Sequence, residues 1–341
     1  MGQWLSSSSS PSAASPETQT KTERLFASLF KALPPLSRED YTTIFDSLAA
    51  RDDSPTVRFW NEDTLTRFLE VPPKTGSLLF KSASYLAGLP TLENVPVPLD
   101  YAGLGIAVMV HAQQIPPQVL TRRELTRLVF NSFADITQNP AQVSSSNEDQ
   151  KQSTETESTQ TSGPRISVSR MIELILFLLS HTYTTESFAS SESHLSSTTD
   201  PANRRSAALV AKSMLSAIKG YAKSPSDEIH YDAFRVFTER DAPYFFDPLV
   251  PLFQRFLYDK KRWGEEQRIR ADWIGPLETE ALNELTELMN LSTLAQLSTF
   301  FPKVNRQGKL VCLYAGSKDG FSMGMFESKV LKYPGASNSN E

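Results

Sequence analysis

Gly320-Phe321-Ser322-Met323-Gly324 reads GFSMG, and it follows the apolar run "KLVCLYA". The pattern G-x-S-x-G is the nucleophile elbow of serine hydrolases, in which a strand turns sharply into a helix and exposes the serine beside a base. That fold needs an acid and then a histidine downstream of the serine. Only 19 residues follow Ser322 and none is histidine, while His111, His181, His194 and His230 all lie upstream. The apolar run ends near Ala315, so "GSKDG" separates it from the serine. A phosphate loop fits no better, because Lys318 stands inside the loop instead of after the second glycine. The plainer expectation is that Ser322 caps a helix. Phe321 and Phe326 then take the two positions of a hydrophobic staple. A hydrolase using Ser322 stays as the alternative from a different class.

Working outward, apolar residues recur at helical spacing through most of the chain. Lys21 to Leu33 aligns Leu25, Phe26, Leu29, Phe30 and Leu33 on one face. Ser37, with Asp40 three residues on, reads as the start of a second helix, with Tyr41, Ile44, Phe45 and Leu48 as its buried stripe. Asn61 is placed to cap a third, carrying Leu65, Phe68 and Leu69. Further helices are expected at Leu78–Ala87, Tyr101–His111 and Arg122–Phe133. The run "SRMIELILFLLSH" reads as a buried helix. "RRSAALVAKSMLSAIKGYA" reads as another, with Leu209, Met214, Leu215 and Ile218.

Two stretches interrupt this pattern. Residues 136–167 and an insert near 183–203 are Ser/Thr-rich and almost without apolar side chains, a composition that cannot bury a core. The expected organisation is a disordered tail at 1–20, a helical region at 21–135, a disordered linker at 136–167, a second helical unit at 168–262 and a separate piece at 281–341.

The helix–loop–helix rhythm raises the question of calcium. An EF-hand loop needs oxygen ligands at positions 1, 3, 5 and 12 around a glycine at 6. Counting from Asp52 puts Ser54 and Thr56 at positions 3 and 5, but Val57 at the glycine position. In the second unit, with Ile229 as the apolar loop residue, Ala222 comes first and Ala233 last. The scaffold is EF-hand-like without a credible cage. No metal or cofactor is expected, and a calcium-responsive binding module remains an alternative.

Charge and composition narrow the partners. The 341 residues carry a net charge of -5, so no basic field invites nucleic acid. The single cysteine, Cys312, has no internal disulfide partner. The longest apolar runs fall short of the roughly 20 residues of a membrane span. "MGQWLS" fits an N-myristoylation signal, with Gly2 as acceptor once Met1 is removed. One acyl chain holds a membrane weakly and reversibly.

"LVCLYAGSKDGFSMGMFESKVLKY" resembles the opening of a TLDc domain: a strand, a Gly/Ser-containing loop ending in Asp319-Gly320-Phe321-Ser322, then a helix, preceded by a leading helix at Leu294–Phe301. Together with the N-terminal Met-Gly, the EF-hand-like region ("YTTIFDSLAA…EDTLTRFLEVP") and "FFDPLVPLFQRFLYDKK", the chain resembles the fungal restriction of telomere capping protein 5 family. The resemblance implies a mainly α fold: two EF-hand-like helical units followed by an incomplete α+β TLDc fragment. The strand and helix are not followed by the β-sandwich that completes such a domain, and the chain reads as truncated. It further implies a non-enzymatic, cytoplasmic regulatory protein. TLDc relatives are associated with oxidative-stress protection and with the vacuolar proton-pumping ATPase, so pump subunits are the implied partners. The vacuolar membrane is the implied site of weak attachment if Gly2 is acylated.

Overall fold

Ala102 to His111 presents apolar side chains in every direction, and a helix without a polar face has to be surrounded. In the computed structural model that is where it sits. The structure describes residues 16–51, 58–92, 97–134, 163–181, 201–222, 226–258, 291–300 and 320–331. The chain is mainly α-helical. Helix α5 (Tyr101–His111) is buried from Ala102 to its end, and Asp100 starts it by accepting a 2.7 Å hydrogen bond from the Gly103 amide. Around it lie α1 (Pro16–Ala32) and α4 (Pro73–Ala87), both packed directly against it. Gly105 lets α1 come this close: a Cβ there would run into the Phe26 ring.

Among the described residues four helix–loop–helix units follow one another, joined in twos through their loops. Helix α2 (Pro35–Leu48) leads through β1 (Ala50–Arg51) and β2 (Arg58–Phe59) into α3 (Glu62–Leu69). The loop before α3 is tied to the loop before α5 by an antiparallel bridge between Trp60 and Leu99, with Trp60 N donating to Leu99 O at 2.9 Å. The plan repeats downstream. Helix α6 (Arg122–Phe133) precedes β3 (Arg165–Ser167) and α7 (Val168–His181). Helix α8 (Pro201–Gly220) precedes β4 (Glu228–His230) and α9 (Tyr231–Arg240). Strands β3 and β4 pair antiparallel, with Ile166 opposite Ile229. All four residues at these junctions, Trp60, Leu99, Ile166 and Ile229, are buried, so each bridge is also a point of the core.

Local signals account for most helix starts. Asn61 caps α3 by accepting from Thr64 N at 2.8 Å. Thr121 and Glu124 form a reciprocal capping box on α6. Several expectations need correction. Helix α2 does not open at Ser37: Pro35 at its first position sets the backbone two residues earlier, and Ser37 and Asp40 are buried instead of capping. Proline likewise starts α4 at Pro73, ahead of the expected Leu78. Leu48 and Leu209 are exposed, because the apolar stripe of each helix is narrower than its sequence suggests. Strand β3 falls inside the linker read as disordered, and α8 begins inside the second insert. In β3, tertiary pairing with a distant strand outweighs a polar local composition.

Replacing Gly105 with alanine is expected to lower stability by about 1–3 kcal/mol, as overpacking does. Adding Phe26→Leu in the same chain should recover part of the loss. Urea unfolding of both variants measures this, and an unchanged midpoint for Gly105→Ala would refute the close approach of α1.

Candidate functional site

After α9 the chain enters "YFFDPLVPLFQRFLY", Tyr244–Tyr258. Two prolines spaced three apart deny it a long helix. It forms a short one, α10 (Leu249–Gln254), and then a 3-10 turn over Arg255–Leu257. We call the segment the strap, because its side chains dock on both sets of units. Phe245 and Phe246 pack on Phe234 of α9, with ring centroids 5.2 and 5.5 Å away. Phe253 stacks on His111 of α5 at 4.3 Å. Phe256 sits against Phe68 at 4.4 Å and Trp60 at 5.2 Å.

Polar contacts fix the register of these rings. Arg255 donates to Leu69 O at 3.0 Å, with Glu70 Oε2 3.7 Å away. A cation at the C-terminus of α3 meets unpaired carbonyls and the negative end of the helix dipole. Burial lowers the Arg255 pKa to about 10 and Glu70 opposes the shift, so the guanidinium stays charged at neutral pH. At the other end Gln113 Nε2 donates to the buried carboxylate of Asp247 at 3.1 Å. Arg122 lies over the Tyr244 ring and donates to Pro243 O.

Beneath the strap a polar trio lies inside the core. Ser82 Oγ is 3.0 Å from His111 Nε2 and 2.6 Å from Ser132 Oγ, so α4, α5 and α6 are joined through three side chains. Burial pushes the His111 pKa down to about 3, and the imidazole is neutral at ordinary pH. A cavity of about 30 Å³ opens beside it, lined among others by Val110, His111, Gln113, Arg122, Asp247 and Leu249. The seam is equipped to hold an aromatic segment in one register. Ser82 and His111 are both buried, and neither is placed to meet a substrate.

The residues singled out from sequence lie elsewhere. Ser322 stands at the N-cap of α12 (Met323–Phe326), which follows α11 (Leu291–Ser298) in chain order, but its side chain makes no capping hydrogen bond. Phe321 is 93% exposed, so the expected staple with Phe326 is not formed. The reason is that no residue of α12, or of the π-helical turn Glu327–Leu331 that continues it, is buried. Gly320 has φ of 78°, a left-handed conformation suited to glycine. Gly2, Asp319, Asp52, Ser54 and Thr56 lie outside the described residues. Ala222 and Ala233 stand at the ends of the second loop, where neither side chain has an oxygen to offer. Among the described residues no helix is long and apolar enough to cross a membrane, and no cluster of histidine, cysteine and carboxylates has the makings of a metal site. Sequence reasoning missed His111, Asp247, Arg255 and the paired Phe253 and Phe256. The available signal was an aromatic run broken by two prolines, too dense to be linker and too interrupted to be one helix.

These elements define a class: a mainly α-helical protein of bridged helix–loop–helix units, clasped by an internal aromatic strap. No family model matches the chain, and neither does any solved structure. Curated relatives do. The chain is 27% identical over 397 residues to Restriction of telomere capping protein 5 of Colletotrichum graminicola, covering 98% of this chain and 62% of the relative. It is 26% identical over 371 residues to the protein of that name in Sordaria macrospora, with 98% and 62% covered. For that of Pyrenophora tritici-repentis the figures are 27% over 367 residues, with 89% and 57% covered. The chain is similar to these fungal proteins over most of its own length, and it spans about three fifths of the length of these relatives.

Phe256→Ala is expected to destabilise the full chain by about 3–5 kcal/mol, the range for emptying a buried phenylalanine site. A loss below about 1 kcal/mol in urea unfolding would mean that the strap is not docked as described.

His111 gives a pH signature. The unfolded chain takes up this proton as the pH falls below about 6.5, whereas the folded chain stays neutral down to about 3. Stability that is complete above the higher value is therefore lost progressively between the two. By pH 5 the loss from this group is about 2 kcal/mol. His111→Phe, which cannot titrate, should show a shallower fall between about pH 7 and 5. Equal slopes would refute the burial of a neutral imidazole.

Proposed function

We propose that this chain is a non-enzymatic interaction protein that binds partner proteins through its helix–loop–helix units. The observation that carries the reading is the strap. The first two units already hold a Phe-x-x-Phe segment, Phe253 and Phe256, with Arg255 set on a helix end between them. A scaffold that seats an apolar segment from elsewhere in its own chain has the surface chemistry for seating others. The short antiparallel bridges ahead of α3, α5, α7 and α9 favour an EF-hand-like ancestry for these units, used here for packing without calcium.

The relatives are named for restricting telomere capping. We place this chain in the same cellular context, acting through proteins and not by contact with nucleic acid, since its net charge is -5. The resemblance of 294–333 to the start of a TLDc domain suggests one partner more narrowly, the vacuolar proton-pumping ATPase, with a role in its assembly and in oxidative-stress protection. Acylation at Gly2 would bring the cytoplasmic protein to the vacuolar membrane, and binding to the pump would supply the second attachment that a single acyl chain needs.

The test uses the full chain, with Gly2 free and acylated, against the purified peripheral subcomplex of the pump. Saturable binding, stronger on vacuole-like vesicles for the acylated form, is expected. No binding in either form would remove the pump from this reading. Ester turnover that is lost in Ser322→Ala, with folding intact, would overturn the non-enzymatic assignment itself.

A further inference from the structure

Three guanidiniums gather on the surface where α6 meets α9, and they share one carboxylate. Glu239 Oε2 accepts from Arg235 at 2.9 Å, and Glu239 Oε1 lies 3.4 Å from Arg123 Nε. Arg127, one helical turn beyond Arg123, has its guanidinium carbon 5.8 Å from the centre of the Tyr231 ring. It is exposed and has no carboxylate partner among the described residues. Burial pushes the Tyr231 phenol up, and Arg127, Arg123 and Arg235 each oppose the shift, so all three cations stand around one hydroxyl. The acids next to them in sequence do not balance them. Glu124 is turned to the Thr121 amide, and Asp232 pairs with none of the three.

The fold gains little from this charge. Arg123 lies in the first turn of α6, at the positive end of the helix dipole, where a cation is unfavourable. Exposed ion pairs contribute little to stability. The join between α6 and α9 is already made by Phe130 and Phe234, both buried, with ring centroids 4.8 Å apart. The chain as a whole carries a net charge of -5, so the cluster is opposite in sign to the molecule that bears it. A local rule broken without a structural return marks a functional site.

We propose that this cluster is a docking surface for an acidic protein segment, a helix with Glu or Asp side chains one turn apart. This rests on the reading of the chain as an interaction protein and names the chemistry of one partner. Arg123 and Arg127 are four positions apart on one helix, a spacing of about 5–6 Å, which matches carboxylates at the same interval on a facing helix. Arginine suits the task because its planar fork takes a carboxylate through two parallel hydrogen bonds. Glu239 is the internal competitor: it holds Arg123 and Arg235 until an outside carboxylate replaces it. Three cations on an acidic chain are too few to follow a nucleic-acid backbone, whose duplex presents a charge about every 1.7 Å.

The test titrates the full chain into a fluorescein-labelled, alanine-based peptide with glutamate at every fourth position, read by fluorescence anisotropy. At about 0.01 M salt, where charges act over about 30 Å, saturable binding is expected, and it should weaken at about 0.15 M. Arg127→Gln removes no ion pair, so its urea midpoint should stay unchanged while binding weakens several-fold. Glu239→Gln frees two guanidiniums and should bind the peptide several-fold more tightly, an effect that a purely structural role for the cluster does not produce. No binding at low salt would overturn the proposal. So would equal binding of a peptide with glutamine in place of glutamate, an unchanged affinity in Arg127→Gln, or weaker binding in Glu239→Gln that is still folded. Tighter binding to a phosphoserine version of the peptide, or to phosphatidylserine vesicles, would give the surface to phosphate and refute the assignment. Should Glu239→Gln fail to fold, Arg127→Gln and the glutamine peptide decide alone. The pump takes no part in this experiment, so its outcome and that of the pump-binding test are read separately.

Discussion

Phe256 rests on Phe68 and Trp60, and the adjacent Arg255 reaches Leu69 O across a sequence separation of 186 residues. Holding that contact means closing a very long loop, yet the entropic cost of closure grows only as the logarithm of its length, about 0.6 kcal/mol for each doubling. Burying an aromatic ring is worth about 1.5–3 kcal/mol, and Phe245, Phe253 and Phe256 are all buried. A few rings therefore outweigh any plausible lengthening of the connections between them. The Ser/Thr-rich stretches near 136–162 and 182–200 can sit between α6 and α7 and between α7 and α8 without weakening the clasp.

The clasp in turn depends on α5. A helix buried on every side gives each neighbour a surface, but it cannot accept a polar group without a partner. His111 is the polar end of that helix, and it is accommodated by hydroxyls contributed from α4 and α6. The same ring presents its face to Phe253. One side chain thus ties the interior network to the strap, and any shift of α5 along its axis would break both contacts. The glycines at positions 103 and 105 allow α4 and α1 to approach closely enough to hold α5 in register.

What was legible in the sequence follows from the range of each interaction. Helices Tyr101–His111 and Arg122–Phe133 are local facts, set by apolar periodicity and the residues that flank them, and they could be read directly. Asn61 as a cap is equally local. Strand β3 was not legible, because three residues in a polar context gain their stability from β4, with Arg165 and Glu228 paired across 63 positions. The seam was hidden for the same reason. Ser82 and His111 stand 29 positions apart, and Ser82 and Ser132 stand 50 apart, so nothing in the linear pattern announces their contact. A lone histidine on an apolar run looks like ordinary core until its neighbours are known. The opposite error occurred at Ser322, where a local motif suggested a cap and staple that a helical stretch with no buried residue does not form.

Arg255 on the strap and His111 beneath it respond to their surroundings in opposite ways, and the difference lies in the partners available. Arg255 keeps its charge because it meets a helix C-terminal carbonyl and has Glu70 nearby, both favouring the cation. His111 could in principle gain from its stack on Phe253 if it were protonated, since a cation over an aromatic face is worth about 0.5–2 kcal/mol. Burial is the dominant influence and drives the ring to neutrality, even though Asp247 lines the same cavity. Desolvating a charge on a ring enclosed on all sides costs more than one aromatic face and a carboxylate in the same cavity return. The strap is thus held by a charge-assisted contact at its Arg255 end and by a neutral one at its Phe253 end. Acid acts on the second first, and it would loosen the strap from α5 while the grip on α3 remains.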